Sequence, residues 1–320
     1  MSGRPAILCS PVIATEYGAR LRSLAPGLEF VLAGHGEQPD DDALTGVEIG
    51  FFSADLFPEH VRAFFEAALR ATSMRWFHTM SAGVDSPVFD RIRTAGARLT
   101  TSSGAAAPAI ARTVAMYLLA LSRDLPRLAR AQAEHRWDYR SYDDLDGKRI
   151  GVVGMGPIGL EVIRLAEALG MEPIGMRRRP LGDEPCETWP IDRFAELTAG
   201  VDALVLALPH TPETSGLLTR QLIDEMRPGA FVVNVGRGEL VDEEALADAL
   251  ARGHLGGAGL DVFTTEPLPA DSRLWDLPNV IITPHSSGTT EGSRMRAVEI
   301  FVANLVAYLA DEPLHNEVVG

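Results

Sequence analysis

The chain has only two cysteines, Cys9 and Cys186, far apart and without a CxxC pattern. That excludes a disulfide framework and gives no sign of a zinc site, so no metal is expected. No apolar run approaches the length of a membrane span. The first residues run straight into a strand-like segment, with neither a charged start nor a long apolar core, so no signal peptide is expected and the reading is a cytoplasmic protein. Positive charge is scarce: 29 Lys and Arg stand against 44 Asp and Glu, a formal net charge of -15. This balance argues against nucleic acid or an anionic membrane surface as partner. Internal repeats and low-complexity segments are absent too. What remains is an ordinary globular composition, 46% hydrophobic and 23% charged, in 320 residues, long enough for two domains.

Apolar, β-branched segments alternate with helical patterns from end to end, which predicts α/β architecture with parallel sheets. The first hundred residues offer candidate strands at 6–12, 29–32, 49–53, 76–80 and 98–101, with a clear helical pattern at 59–70. A second series starts at Arg149 and continues at 172–176, 203–208, 231–235, 258–261 and 280–283. Asp242 is a candidate N-cap for a helix over 243–251, with acids in its first turn and Gly253 just past its end. Two long helical patterns, 108–122 and 293–309, bracket the second series. The expected organisation is two doubly wound domains: a flavodoxin-like, discontinuous substrate domain (1–102 and 286–320) and a Rossmann dinucleotide-binding domain (103–285).

The strongest motif follows the strand-like Lys148–Val153. Gly154-Met155-Gly156-Pro157-Ile158-Gly159 comes next, and helical apolar spacing then runs to Gly170. A GxGxxG between a strand and a helix is a dinucleotide signature. Its first glycine allows the turn, its second lets the backbone approach a pyrophosphate, and its third lets helix pack on strand. The helix N-terminus then holds the phosphate charge.

In a doubly wound fold, ligands sit beyond the carboxyl ends of the strands. Those positions carry Arg237, Asp261, Glu266 and His285. The set suits hydride transfer to a 2-keto acid. A bidentate Arg holds the substrate carboxylate, and a His protonates the developing alkoxide. A carboxylate on the other ring nitrogen orients the imidazole. Position alone does not select His285, because His78 and His210 also follow apolar strands.

The segments GVVGMGPIG (Gly151–Gly159), LALPHTPETSGL (Leu206–Leu217), RPGAFVVNVGRGELVDEEAL (Arg227–Leu246), GAGLDVFTTEPLP (Gly257–Pro269) and NVIITPHSSG (Asn279–Gly288) together resemble the D-isomer-specific 2-hydroxyacid dehydrogenase family. Ser81–Asp85 extends the likeness toward the N-terminus, and Ala107–Ala111 with Gln132 and Trp137 is most similar to the glyoxylate/hydroxypyruvate reductase-like branch. The resemblance implies that Arg237 binds the substrate carboxylate and carbonyl, that His285 is the general acid/base, and that Glu266 supports it. It also implies that the backbone of Ala82, Gly83 and Val84 binds substrate, and that Asp261 lies on the nicotinamide side. Gly154, Gly156, Pro157, Ile158, Gly159, Pro209, Thr211, Val235 and Gly288 are the other cofactor positions it implies. His210 falls near the adenosine end and His78 beneath the substrate loop. One departure is Arg112, where the family commonly has Glu.

A second departure concerns the cofactor. NAD enzymes of this fold carry Asp or Glu at the end of the second strand, for the ribose 2′-hydroxyl. Here Arg177, Arg178 and Arg179 stand there, with no acid before Asp183. The expectation is a 2′-phosphate site, hence NADP in preference to NAD. The predicted activity is reduction of glyoxylate, hydroxypyruvate or a similar 2-keto acid to the D-2-hydroxy acid. Two alternatives stay open on the sequence: a non-catalytic NAD(P)-sensing protein of the same fold, and a phosphite-type oxyanion dehydrogenase. The segment 123–142 reads as an exchanged dimer arm, which predicts a homodimer and lets Trp137 reach a neighbouring substrate site.

Overall fold

The structure is a computed structural model that describes residues 5–318. The chain divides into two compact units, one taking the residues up to Ala106 and from Thr290 onward, the other Ala107–Thr289.

In the first unit, β1 (Ala6–Cys9), β2 (Glu29–Leu32), β3 (Val47–Phe52), β4 (Trp76–Thr79) and β5 (Arg98–Thr101) form a parallel sheet in the order β2-β1-β3-β4-β5. Successive side chains leave opposite faces of a strand, so a sheet covered on both sides needs apolar residues at every position. In β4 the adjacent aromatics divide this way. Trp76 stacks on Phe301, with ring centroids 5.2 Å apart, whereas Phe77 faces Phe65 at 5.7 Å. Phe301 belongs to the helix Glu291–Leu309, which therefore lies against this sheet. Arg20 pairs both terminal guanidinium nitrogens with Glu299, at 2.5 and 2.7 Å, and Tyr308 donates to Glu48 at 2.6 Å. The return of the C-terminal helix is thus held by burial first. Truncating an aromatic such as Trp76 or Phe301 would cost roughly 3–5 kcal/mol.

The second unit has seven parallel strands: β6 (Arg149–Val153), β7 (Glu172–Arg177), β8 (Glu187–Pro190), β9 (Ala203–Leu206), β10 (Phe231–Asn234), β11 (Gly257–Leu260) and β12 (Val280–Ile282). Their order is β12-β11-β10-β9-β6-β7-β8. The order reverses between β6 and β9, the switch point where a doubly wound sheet opens to a ligand. Among the described residues, no helix is long and apolar enough to cross a membrane.

Several sequence expectations need correction. The first strand ends at Cys9, not at residue 12, because Ser10 caps a helix with Pro11 in its first turn and accepts from Ile13 N–H. The edge strand Glu187–Pro190 is additional; it is short and polar, and an edge position tolerates its proline. Within the segment 123–142 a helix that no sequence pattern marked runs over Leu125–Ala133, with Pro126 in its first turn. The expected helix is present as read: Glu243–Ala251 begins at an Asp242 cap, whose side chain accepts from Ala245 N–H.

Candidate active site

The glycine motif sits where β6 gives way to the helix Pro157–Ala168. Gly154 has φ +104°, and a Cβ there would lie 2.7 Å from the carbonyl oxygen of Ala207. A Cβ at Gly159 would come 1.9 Å from the carbonyl oxygen of Gly154, so only glycine lets the helix pass this close. Gly156 differs: a Cβ on it would meet nothing within 4 Å. It is the N-cap, it offers no side-chain bond to the first turn, and its backbone faces open space. The helix N–H groups and the positive end of the dipole therefore point at a cradle fit for a pyrophosphate. Pro157 occupies the first turn, and the half-buried Ile158 packs against the core below.

Beyond β9, Thr214 ties the next loop together, donating to Pro209 O at 2.8 Å and accepting from Thr211 N–H at 2.8 Å. His210 lies in this loop with a buried Nε2 that has no hydrogen-bond partner among the described residues. An orphaned polar atom beside the glycine cradle fits a bound dinucleotide.

At the end of β7 the sequence expectation was incomplete. Arg177 is not without an acid: its Nη1 lies 3.5 Å from Glu184 Oε1. The turn between them brings Glu184 back to accept from Leu181 N–H at 2.5 Å and Gly182 N–H at 2.7 Å. Those amide bonds, Leu181's first, hold the Glu184 carboxyl below the usual carboxylate range, with Arg177 assisting. Arg178 and Arg179 are exposed. Arg178 also contributes to lowering the Glu213 carboxyl, after the stronger effect of the Thr211 hydroxyl bond. The turn after β7 is thus basic, with Arg177 partly balanced by Glu184.

The chemistry-bearing residues lie on the loops after β10, β11 and β12. Asn234, the last residue of β10, donates through Nδ2 to Arg237 O at 2.8 Å and accepts from Gly236 N–H at 3.1 Å. Val235 between them is buried. The Arg237 guanidinium donates to Gly236 O at 2.8 Å. A Cβ on Gly238 would fall 1.9 Å from the carbonyl carbon of Phe263, so this loop presses backbone to backbone on the loop that carries Glu266. Glu266 accepts from Phe263 N–H through Oε1 at 3.0 Å, leaving Oε2 for His285 Nδ1 at 2.7 Å. His285 itself has φ +49°, a left-handed conformation unusual for a residue with a Cβ. Its N–H donates to Asp261 O at 2.8 Å.

Asp261 is almost fully buried, and its carboxylate points into the His285 loop. It accepts from Ser286 N–H at 2.9 Å, from Ser287 N–H at 3.1 Å, and from the hydroxyls of Thr283 and Ser287. Gly288 follows directly.

The three histidines have different surroundings. His78 lies within β4, not after it, and is buried with Nδ1 2.7 Å from Thr100 Oγ1 and Nε2 2.9 Å from Ser102 Oγ. Burial pushes its pKa down to about 3, so it stays neutral. Glu266 is bonded to His285, which has one ring nitrogen left to face a reactant.

In the first unit, the loop after β4 carries Ala82, Gly83 and Val84. Ser81 shapes it, donating to Gly83 O at 2.9 Å and lying 2.9 Å from the Thr79 hydroxyl. In the second unit, Arg127 of the helix Leu125–Ala133 donates to Asp124, just before the helix, at 2.5 Å and to the Tyr142 hydroxyl, in the segment after it, at 2.6 Å. Trp137 and Tyr139 stand 94% and 86% exposed.

Residues 115–287 match the model of the D-isomer specific 2-hydroxyacid dehydrogenase NAD-binding domain. The chain is 35% identical over 254 residues to glyoxylate/hydroxypyruvate reductase B of Pectobacterium carotovorum subsp. carotovorum (strain PC1), covering 77% of this chain and 79% of that one. Among solved structures, a D-isomer specific 2-hydroxyacid dehydrogenase from Xanthobacter autotrophicus Py2, in complex with NADPH and MES, superimposes with a TM-score of 0.81 at 30% identity, covering 99% and 98% of the two chains. An NADPH-dependent glyoxylate/hydroxypyruvate reductase from Sinorhizobium meliloti, in complex with NADP and sulfate, also reaches 0.81, at 27% identity and the same coverage.

Proposed function

The chain belongs to the D-isomer-specific 2-hydroxyacid dehydrogenase family, and we propose that it reduces a small 2-keto acid, glyoxylate or hydroxypyruvate foremost, to the D-2-hydroxy acid with NADPH. It is an NAD(P)-dependent oxidoreductase with two parallel-sheet α/β domains. The observation that carries the reading is the 2.7 Å pairing of His285 Nδ1 with Glu266, on loops adjoining that of Arg237.

Gly154, Gly156 and Gly159, with Pro157, Ile158, Pro209, Thr211, Val235 and Gly288, would hold the dinucleotide, whose nicotinamide supplies the hydride when bound. Arg237 grips the substrate carboxylate through its planar fork and polarises the carbonyl. Glu266 is acceptor-only when ionised, so it fixes the proton on Nδ1 and turns Nε2 toward the substrate. Nε2 delivers the proton to the carbonyl oxygen of the substrate. Asp261 serves the nicotinamide end by holding the loop from His285 to Gly288. The backbone of Ala82, Gly83 and Val84 is assigned to the substrate carboxylate as well, from the family resemblance. The discontinuous domain is read as the substrate domain.

The preference for NADPH rests on the exposed Arg178 and Arg179 at the 2′ position, with Arg177 shared with Glu184. A homodimer is supported by the apolar surface of the helix Ala107–Ser122, where Met116 and Leu119 are exposed, and of the nearby arm with Leu125, Trp137 and Tyr139. Trp137 would then reach the partner's substrate. Light scattering at micromolar concentration reads this directly, and a monomer contradicts it. A cytoplasmic location accords with two free cysteines, one of them buried.

The test is a panel of 2-keto acids followed by oxidation of NADPH and of NADH, ranked by kcat/KM. Turnover of a small keto acid with NADPH supports the proposal. NADPH binding without turnover across the panel would favour the non-catalytic alternative.

A further inference from the structure

The buried face of the helix Ala107–Ser122 is built from alanine, valine and leucine with a single exception, Tyr117. Its ring is wholly buried and passes under Gly259 of β11, where a Cβ would stand 2.4 Å from the ring. A buried hydroxyl is costly unless it is bonded, and a leucine would fill much of this space without that cost. The hydroxyl has a partner: Tyr117 Oη lies 2.5 Å from Thr283 Oγ1.

Thr283 follows β12 and opens the loop that carries His285. Its hydroxyl also bonds the Asp261 carboxylate. The direction of this chain is fixed by proton count. A threonine hydroxyl has one proton and a carboxylate has none to give, so Thr283 donates to Asp261 and accepts from Tyr117. Burial pushes the Tyr117 phenol up to about 12, which keeps it a donor throughout the working range. Asp261 in turn receives Ser286 and Ser287 N–H through its carboxylate and His285 N–H through its carbonyl. Three successive amides of a loop strained at His285 thus converge on one residue, and Tyr117 stands behind it.

We propose that Tyr117 is a positioning residue for proton transfer, its hydroxyl locking, through Thr283 and Asp261, the loop that presents His285. The proposal rests on the reading of His285 as the general acid. Tyr117 touches neither substrate nor cofactor in this scheme. It acts on how often the imidazole stands in line with the carbonyl oxygen.

The experiment compares Tyr117→Phe, Thr283→Val, their double variant, Thr283→Ser and His285→Ala in the full-length protein. Readouts are keto-acid reduction with NADPH and hydrogen exchange of peptides covering residues 283–288. Loss of one link should lower kcat about tenfold in Tyr117→Phe and leave the KM for NADPH within about twofold. Exchange of the 283–288 amides should rise, which needs no activity to be seen. The double variant should be no slower than Thr283→Val alone, because both break one chain. Thr283→Ser keeps the hydroxyl and should keep most of the turnover, which holds the test open if Tyr117→Phe folds poorly. Unchanged kcat in Tyr117→Phe, or additive losses in the double variant, would overturn the proposal while leaving the His285 reading intact if His285→Ala is inactive. Full turnover in His285→Ala would overturn that reading, and this proposal with it.

Discussion

Glu266 holds His285 by Nδ1 at 2.7 Å while its other oxygen receives the Phe263 amide at 3.0 Å. The two bonds use both carboxylate oxygens, one to orient the ring and one to orient the carboxylate. Glu266→Gln keeps the shape but has a single acceptor oxygen. Either Phe263 N–H or His285 Nδ1–H must then face an NH2 group. We expect kcat/KM for keto-acid reduction to fall on the order of 10- to 10²-fold, with NADPH affinity little changed. A variant as fast as the unmodified enzyme would mean that this pair does not support catalysis.

The cofactor prediction takes Glu184 into account. Each charge-assisted contact to a 2′-phosphate is worth about 1.5–3 kcal/mol, so one arginine supports a preference of about tenfold or more for NADPH. Arg178→Ala with Arg179→Ala should remove most of the preference by raising the KM for NADPH, leaving the KM for NADH and the kcat with either cofactor nearly unchanged. Equal kcat/KM for NADPH and NADH in the unmodified enzyme would leave these arginines as solvated surface.

His78 makes a prediction about acid stability. Its pKa in the folded chain is about 3, against an ordinary value of about 6.5. Below pH 6.5 the unfolded chain takes up a proton at this site that the folded chain refuses. Stability present above that pH is therefore lost as pH falls toward 3. Between pH 7 and 5 the loss from this group is about 2 kcal/mol. Urea midpoints at the two pH values should fall further for the unmodified protein than for His78→Gln. An equal drop in both would show that another group sets the acid limb.

How much of this was legible in the sequence depends on how local the cause is. Two of the motif's glycines could be read because they answer to their neighbours: Gly154 to a turn with positive φ, and Gly159 to the passage of helix over strand. The Asp242 cap and its helix are local in the same sense. Choosing His285 was not a local matter. The strand ends offered several histidines, and only family resemblance favoured one until the fold brought Glu266 across 19 residues to its Nδ1. Glu184 escaped because nothing in the sequence says that the turn after Arg179 folds back. The helix Leu125–Ala133 hid behind its arginines, although Pro126 was a start signal. Nothing in the sequence marked Tyr117, since a buried hydroxyl declares itself only through its partner.

The central claim is that His285 gives the proton, and His285→Ala tests it most directly. Steady-state reduction of the preferred keto acid should slow by a factor on the order of 10²–10⁴, the contribution of a positioned general acid. NADPH binding, followed by fluorescence on the same preparation, should change by less than about twofold, because the glycine cradle is untouched. The account is contradicted if His285→Ala keeps near-normal turnover while His210→Ala or His78→Ala abolishes it in a folded protein.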